Sequence, residues 1–250
     1  MPEKNGSDDP EEDFTERITD SGNGIDGGNG ADRDGSYAVK RDLQRTFDEI
    51  SDEFSETRSY PWKTVEEFLD DRQDHRALDL ACGNGRHLLQ LEETHKEVVG
   101  IDFSINLLTS DLHSSVPDLD AELVCGDVGS LPFSSNVFDT VLYVAGLHHL
   151  PSRRDRIESL NEVSRVLSPG GECLVSVWAI EHGRFDGLRD QIRRNGHDFH
   201  VPWKSKDGES YDRYYHIYGR EGFVAETEES DLSVHRIWLE SGNYYAVLSS

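Results

Sequence analysis

Three aspartates and two glycines stand where short apolar runs give out, and their spacing suits nucleoside binding. One run reads Leu78-Asp79-Leu80-Ala81-Cys82-Gly83-Asn84-Gly85-Arg86, a second closes at Gly100-Ile101-Asp102 and a third at Gly126-Asp127. Gly83 and Gly85 permit a tight turn that brings a ligand against the start of a helix, at the carboxyl edge of a sheet. A carboxylate at Asp102 can accept from both hydroxyls of a ribose, Asp79 suits an ammonium group, and Asp127 suits an aromatic amino group. Gly-X-Gly alone is a weak signal; the three carboxylates make it specific. A dinucleotide would want a third glycine where Leu88 stands, and its pyrophosphate would sit badly beside Asp79.

A second set of chemically useful residues lies further on. The 250 residues carry 50 acidic and 25 basic side chains, a formal charge of −25. Residues 141–220 hold 11 acids and 12 bases, so the excess negative charge lies outside this block. Six of the 11 histidines also fall there: His148, His149, His182, His197, His200 and His216. A neutral-to-basic, aromatic-rich block in an otherwise acidic chain predicts an anionic-ligand or nucleic-acid surface. Few lysines and many carboxylates further predict adaptation to molar salt, where exposed charges are screened within about 3 Å. The three cysteines, Cys82, Cys125 and Cys173, are far apart in sequence, which disfavours a disulfide framework and a cysteine zinc site. No acidic or cysteine partner stands at ligand spacing from His148 and His149, so no metal site is expected. The absence of a long apolar run or signal-like segment predicts a cytoplasmic chain with no membrane span.

The elements that must position these residues follow from periodicity. Residues 1–36 are acidic and glycine-rich with few large apolar side chains, and are expected to be a disordered tail. Tyr37, Val39, Leu43, Phe47, Ile50 and Phe54 recur at helical spacing, and a second helix is expected over Trp62 to Leu69. Strand-like runs at 77–81, 98–101, 123–125, 138–144 and 173–177 alternate with helix-like segments at 86–93, 104–112 and 153–167. Ser168-Pro169-Gly170-Gly171 reads as a helix stop and turn, and the runs Phe223–Thr227, Ser233–Trp238 and Tyr244–Leu248 as closing β-structure. This alternation predicts an α/β fold over residues 37–250, a Rossmann-like seven-stranded sheet with helices on both faces and a polar, aromatic insertion at about 182–220.

The glycine loop with Asp79, Asp102 and Asp127 resembles the class I S-adenosylmethionine-dependent methyltransferases over about residues 75–180, with Ala81 where many members have glycine. The resemblance implies S-adenosylmethionine as cofactor, bound by Asp79, Ala81, Gly83, Gly85, Asp102, Phe103, Asp127, Val128 and Ala145. Four further segments narrow the likeness: Phe54 to Trp62, Gly146-Leu147-His148-His149-Leu150, Val177-Trp178-Ala179, and Val201-Pro202-Trp203 with Arg213-Tyr214-Tyr215-His216. Together they are similar to the eukaryotic-type tRNA methyltransferase that esterifies 5-carboxymethyluridine at the wobble position, and to the methyltransferase domain joined to an AlkB-like tRNA hydroxylase. That likeness points to an archaeal halophile.

The resemblance implies Arg58, His148, His149, Trp178, Arg213, Tyr214 and His216 at the acceptor. Arg153, Arg154, Arg193, Arg194 and Trp203 are expected on the tRNA anticodon region, with Trp178 and Trp203 offering faces for an extruded base. It further implies a small zinc-binding activator protein that adds a strand at about Ala121 to Cys125, with apolar cover from Leu107, Leu108 and Leu112. Another RNA or small-molecule methyltransferase, or a non-catalytic tRNA-binding scaffold of the same fold, remain the alternatives.

Overall fold

The computed structural model describes residues 19–20, 31–70, 72, 74–110 and 119–250. Its centre is built from strands whose side chains are apolar on both faces. In β2 (Asp74–Leu80), Ala77, Leu78 and Leu80 are fully buried, and in β5 (Phe138–Val144) only Asp139 escapes burial. Strands of this kind need cover on both sides, which is why they sit inside a parallel sheet. With β3 (His95–Asp102), β4 (Glu122–Cys125), β6 (Leu167–Trp178), β9 (Ser233–Glu240) and β10 (Asn243–Ser249), they form a seven-stranded sheet in the order β4-β3-β2-β5-β6-β10-β9. Strands β2 to β6 run parallel, whereas β10 pairs antiparallel with both β6 and β9. The chain winds outward from β2 to β4, returns to β5 and winds the other way, so a crevice opens at the carboxyl ends of β2 and β5.

The helices are α1 (Ala31–Glu56), α2 (Lys63–Leu69), α3 (Leu88–Thr94), α4 (Ile105–Leu108), α5 (Arg153–Val166), α6 (Arg189–Asn195) and α7 (Arg220–Glu229). Ser152 caps α5 by accepting from the Asp155 N–H, and Ser104 caps α4 through the Leu107 N–H. Helix α1 lies over the crevice: its Leu43, Phe47 and Ile50 pack with Leu107, Trp203 and Tyr214 in one apolar cluster. The insertion supplies α6 and the hairpin β7 (Asp198–Lys204) to β8 (Ser210–His216), held by its own core of Trp178, Ile180, Phe185, Ile192, Phe199, Val201 and Tyr215.

Several expectations change. Phe223–Thr227 is not a strand but part of α7; Phe223 and Thr227, four residues apart, are both fully buried, so helical packing overrides the local β character of Phe-Val. Helix α5 ends at Val166, one residue before the expected end at 167, and Leu167 to Gly171 continues into β6 through a register irregularity opposite Phe138 and Thr140. Within the expected tail, Thr19–Asp20 forms a two-residue strand β1 that pairs with β7, and α1 begins at Ala31; residues 1–18 and 21–30 lie outside the described residues. The expected helix over 104–112 shows α4, and its end from 111 lies outside the described residues. Among the described residues, no helix is long and apolar enough to cross a membrane.

Candidate active site

The loop after β2 makes the floor of the site. Ala81, Gly83 and Gly85 all adopt left-handed backbone conformations, at φ 58°, 58° and 80°. A side chain at Gly83 would meet nothing within 4 Å, so the backbone angle rather than space demands glycine there. Ala81 directly follows β2 and Ala145, at φ 56°, directly follows β5; two strained non-glycine residues thus flank the crevice. Asp102 ties the neighbouring loops together: Oδ2 accepts the Gly83 N–H and Oδ1 the Ser104 N–H, both at 2.9 Å. Burial pushes its carboxyl up to about 6, although these N–H donors pull the other way. Asn84 donates to the carbonyls of Ser55 and Arg58 at 3.4 and 3.1 Å, fastening the glycine loop to the end of α1.

These elements enclose a cavity of about 330 Å³ between the strand ends and α1. Of the residues expected to bind cofactor, Ala81, Gly83, Asp102, Phe103, Asp127, Val128 and Ala145 line it. Gly85 shapes the turn without lining it. Asp79 lies outside the wall, 1% exposed, and its Oδ2 has no hydrogen bond. Burial pushes the Asp79 carboxyl up to about 8; Arg86 opposes this and Asp102 reinforces it. Asp127, at the rim, accepts the Gly129 N–H at 2.8 Å and faces Lys40 Nζ at 3.3 Å. A cavity walled by Asp102 and Asp127, with the orphaned Asp79 carboxyl oxygen buried behind the wall, fits a nucleoside that carries an ammonium group. Asp102 retains lone pairs for ribose hydroxyls, and Asp127 for an adenine amino group.

The residues expected at the acceptor divide into two layers. Arg58 and His149 line the cavity. The Arg58 guanidinium lies 4.4 Å from the Phe54 ring centre and donates to Thr57 Oγ1 at 2.6 Å. His149 Nδ1 bonds the Tyr214 carbonyl at 2.9 Å. His148, Trp178, Arg213, Tyr214 and His216 form a second layer outside the wall. His148 accepts the Trp178 N–H at Nδ1, and burial holds its pKa well below the usual histidine range, so the ring is neutral. Trp178 stacks on Tyr215 at 4.4 Å with an interplanar angle of 12°. Arg213 is 1% exposed, its guanidinium between the rings of Trp203 at 5.1 Å and Tyr215 at 5.5 Å.

The open stacking faces expected at Trp178 and Trp203 are not found: the two rings are 6% and 5% exposed. Tyr215 covers the first, and Phe54 of α1 packs against the second at 5.9 Å. Arg153, Arg154, Arg193 and Arg194 lie on the surface. The first three face Glu229, Glu158 and Asp190 at 2.6, 2.6 and 3.5 Å, and Arg194 Nε donates to the Asp190 carbonyl. The cavity wall also contains residues that sequence reasoning missed: Tyr37, Lys40, Arg41, Gln44 and Phe47 from α1, and His87 after the glycine loop. Asn84 and His87 adjoin a recognised motif and could have been found; α1 shows only helical periodicity, which carries no signal of what it covers.

Among the described residues, strand β4 is at the edge of the sheet, as expected. Leu107 and Leu108, expected as apolar cover for a partner there, are instead 2% and 3% exposed, because α4 turns them toward the core. The apolar side chains that do face outward nearby are Ile105 and Leu123, 49% and 36% exposed; Leu112 lies outside the described residues.

A parallel sheet with one reversed strand, a glycine loop and an acid at the end of each of the next two strands define a nucleoside-binding α/β protein. The methyltransferase domain family matches residues 78–175. A protein of Encephalitozoon cuniculi named as a methyltransferase is 34% identical over 217 residues, covering 86% of this chain and 98% of that one. The tRNA (carboxymethyluridine(34)-5-O)-methyltransferase of Schizosaccharomyces pombe is 29% identical over 75% of this chain and 86% of its own length. Among solved structures, the complex of the Haloferax volcanii Trm112 methyltransferase activator with a methyltransferase shares the fold, with a TM-score of 0.60 at 16% identity, covering 83% of this chain and 96% of that one. The chain belongs to the methyltransferase family: it is a class I enzyme that uses S-adenosylmethionine.

Proposed function

We propose that this methyltransferase acts on tRNA and forms the methyl ester of a wobble-position 5-carboxymethyluridine, assisted by a small zinc-binding activator protein. The observation that carries the reading is the likeness, over most of both chains, to the fission-yeast protein named for that reaction. The site is consistent with it. The cofactor supplies an electrophilic methyl group on a sulfonium. A carboxylate with a pKa near 4 is already ionised at neutral pH, so no general base is required, only alignment and exclusion of water. Arg58 at the cavity wall neutralises the acceptor carboxylate, His149 borders it, and α1 covers the cavity. Arg153, Arg154, Arg193 and Arg194 contact the anticodon region.

The activator reading rests on β4 being the edge strand among the described residues, with the exposed Leu123 and Ile105 beside it, since a sheet edge invites strand addition. The fold shared with the Haloferax volcanii complex supports the same reading.

The test is to incubate the protein, alone and with a candidate zinc-binding activator, with methyl-labelled S-adenosylmethionine and tRNA that carries the carboxymethyl group. The labelled tRNA is then treated with mild alkali. Label released as methanol identifies an ester; label retained on the nucleoside overturns the acceptor. Equal activity with and without the activator overturns the partnership.

A further inference from the structure

The loop that follows β5 is contacted at four successive residues. His148 Nδ1 accepts the Trp178 N–H at 3.1 Å, and His149 Nδ1 lies 2.9 Å from the Tyr214 carbonyl. The Leu150 carbonyl accepts from Arg156 Nη1 at 3.1 Å, and the Pro151 carbonyl faces the Tyr214 hydroxyl at 3.0 Å. Tyr214 therefore holds this loop at His149 by its carbonyl, while its hydroxyl lies beside Pro151. The hydroxyl is in turn 2.5 Å from Asp198 Oδ1, which also accepts from His216 Nδ1 at 2.7 Å. Asp198 and His216 are directly opposed in the β7–β8 ladder, and Tyr214 stands two residues along on the same face.

The chemistry of these contacts fixes a proton. A carbonyl only accepts, so the His149 ring nitrogen that faces it, Nδ1, must carry a hydrogen. The carbonyl that dictates this belongs to β8, and β8 is anchored beside it through the Tyr214 hydroxyl. Burial pushes the Asp198 carboxyl up, but the hydrogen bonds from His216 and Tyr214 and the charge of Arg156 outweigh it and hold the group below the usual carboxylate range. An ionised Asp198 takes the single Tyr214 hydroxyl hydrogen as a charge-assisted bond, stronger than the one to Pro151.

We propose that Asp198, through Tyr214, is a positioning residue for methyl transfer: it fixes the plane and the protonated nitrogen of His149 at the cavity wall. Tyr214 thereby changes from an acceptor contact to the arm that sets one. The activity measurement rests on the tRNA reading above, whereas the spectroscopic measurement needs no acceptor, so the two can fail separately.

The full chain, labelled with ¹⁵N-histidine and bound to S-adenosylhomocysteine, is examined by two-bond ¹H–¹⁵N correlation, with His149→Gln assigning the resonance. The wild type is expected to show His149 with its hydrogen held at Nδ1, and Asp198→Ala to lose that preference between Nδ1 and Nε2. Asp198→Ala and Tyr214→Phe should each lower kcat on tRNA about tenfold, and the double variant no further than the worse single one. Affinity for S-adenosylhomocysteine should stay within about twofold, since neither residue lines the cavity. Asp198→Asn, which still accepts from Tyr214, should restore most of the loss. If Asp198→Ala fails to fold, Tyr214→Phe carries the same measurements with one oxygen removed. An unchanged Nδ1–H pattern in the variants, losses that multiply in the double variant, or cofactor affinity that falls in step with activity would overturn the proposal.

Discussion

Replacing Asp79 by asparagine removes an ionisable group from a site that cannot ionise cheaply, and the effect is readable as a pH slope. Asp79 is 1% exposed, its Oδ2 lacks a hydrogen bond, and burial raises its pKa from 3.8 to about 8. Between those values the folded chain keeps the proton while the unfolded chain releases it. A raised carboxyl pKa therefore costs stability as pH rises through this window: more protons are bound in the folded state, and the unfolding free energy falls with pH. One proton difference corresponds to about 1.4 kcal/mol per pH unit. Wild type should thus lose about 3 kcal/mol relative to Asp79→Asn between pH 5 and pH 7. Urea unfolding of both cofactor-free proteins at half-unit pH steps measures this, because the buried histidines, which titrate in both, cancel in the difference. The absolute offset between the two proteins is irrelevant; only the slope matters. A difference that stays flat from pH 5 to 7 would show that Asp79 is ionised in the fold and that its buried carboxyl is not starved of a cation.

Three other perturbations separate the parts of the site. Arg156 and Glu226 form a buried pair, both side chains 4% exposed, and Tyr218 donates to the same carboxylate. Glu226→Ala should cost about 3–5 kcal/mol in urea unfolding, because a charge is left buried alone. A Cβ added at Gly146 would lie 2.6 Å from the Ala81 Cβ and 2.7 Å from the Tyr143 ring, so Gly146→Ala should cost about 1–3 kcal/mol. Because Gly146 and Ala81 both line the cavity, calorimetry should also show weaker cofactor binding. Lys40→Met removes a partly exposed pair with Asp127 and should change stability by less than about 1 kcal/mol; thermal unfolding checks this.

The sequence by itself determined the central sheet and the floor of the site. Apolar runs at β2, β3 and β5 must be buried on both faces, and that requirement is written locally in consecutive Leu, Val and Ile residues. The turn at Gly83 and Gly85 is likewise local, since it depends on backbone angles that few residues adopt. Asp102, one strand away, was legible because strand ends in this winding converge on one edge.

What tertiary structure alone decided is which side chains meet and how far each is withdrawn from water. Trp203 and Arg213 read as open, ligand-facing residues, yet α1 and the hairpin close over them. Arg156 finds Glu226 seventy residues away, and Tyr214 finds Asp198 across a hairpin. The same holds for α1, whose stripe of Leu43, Phe47 and Ile50 announces a helix with something to bury but not the crevice it covers. Burial and pairing depend on distances between segments remote in sequence. The pattern of one segment fixes its own conformation and apolar face, whereas its partner is fixed only when every other segment has taken its place.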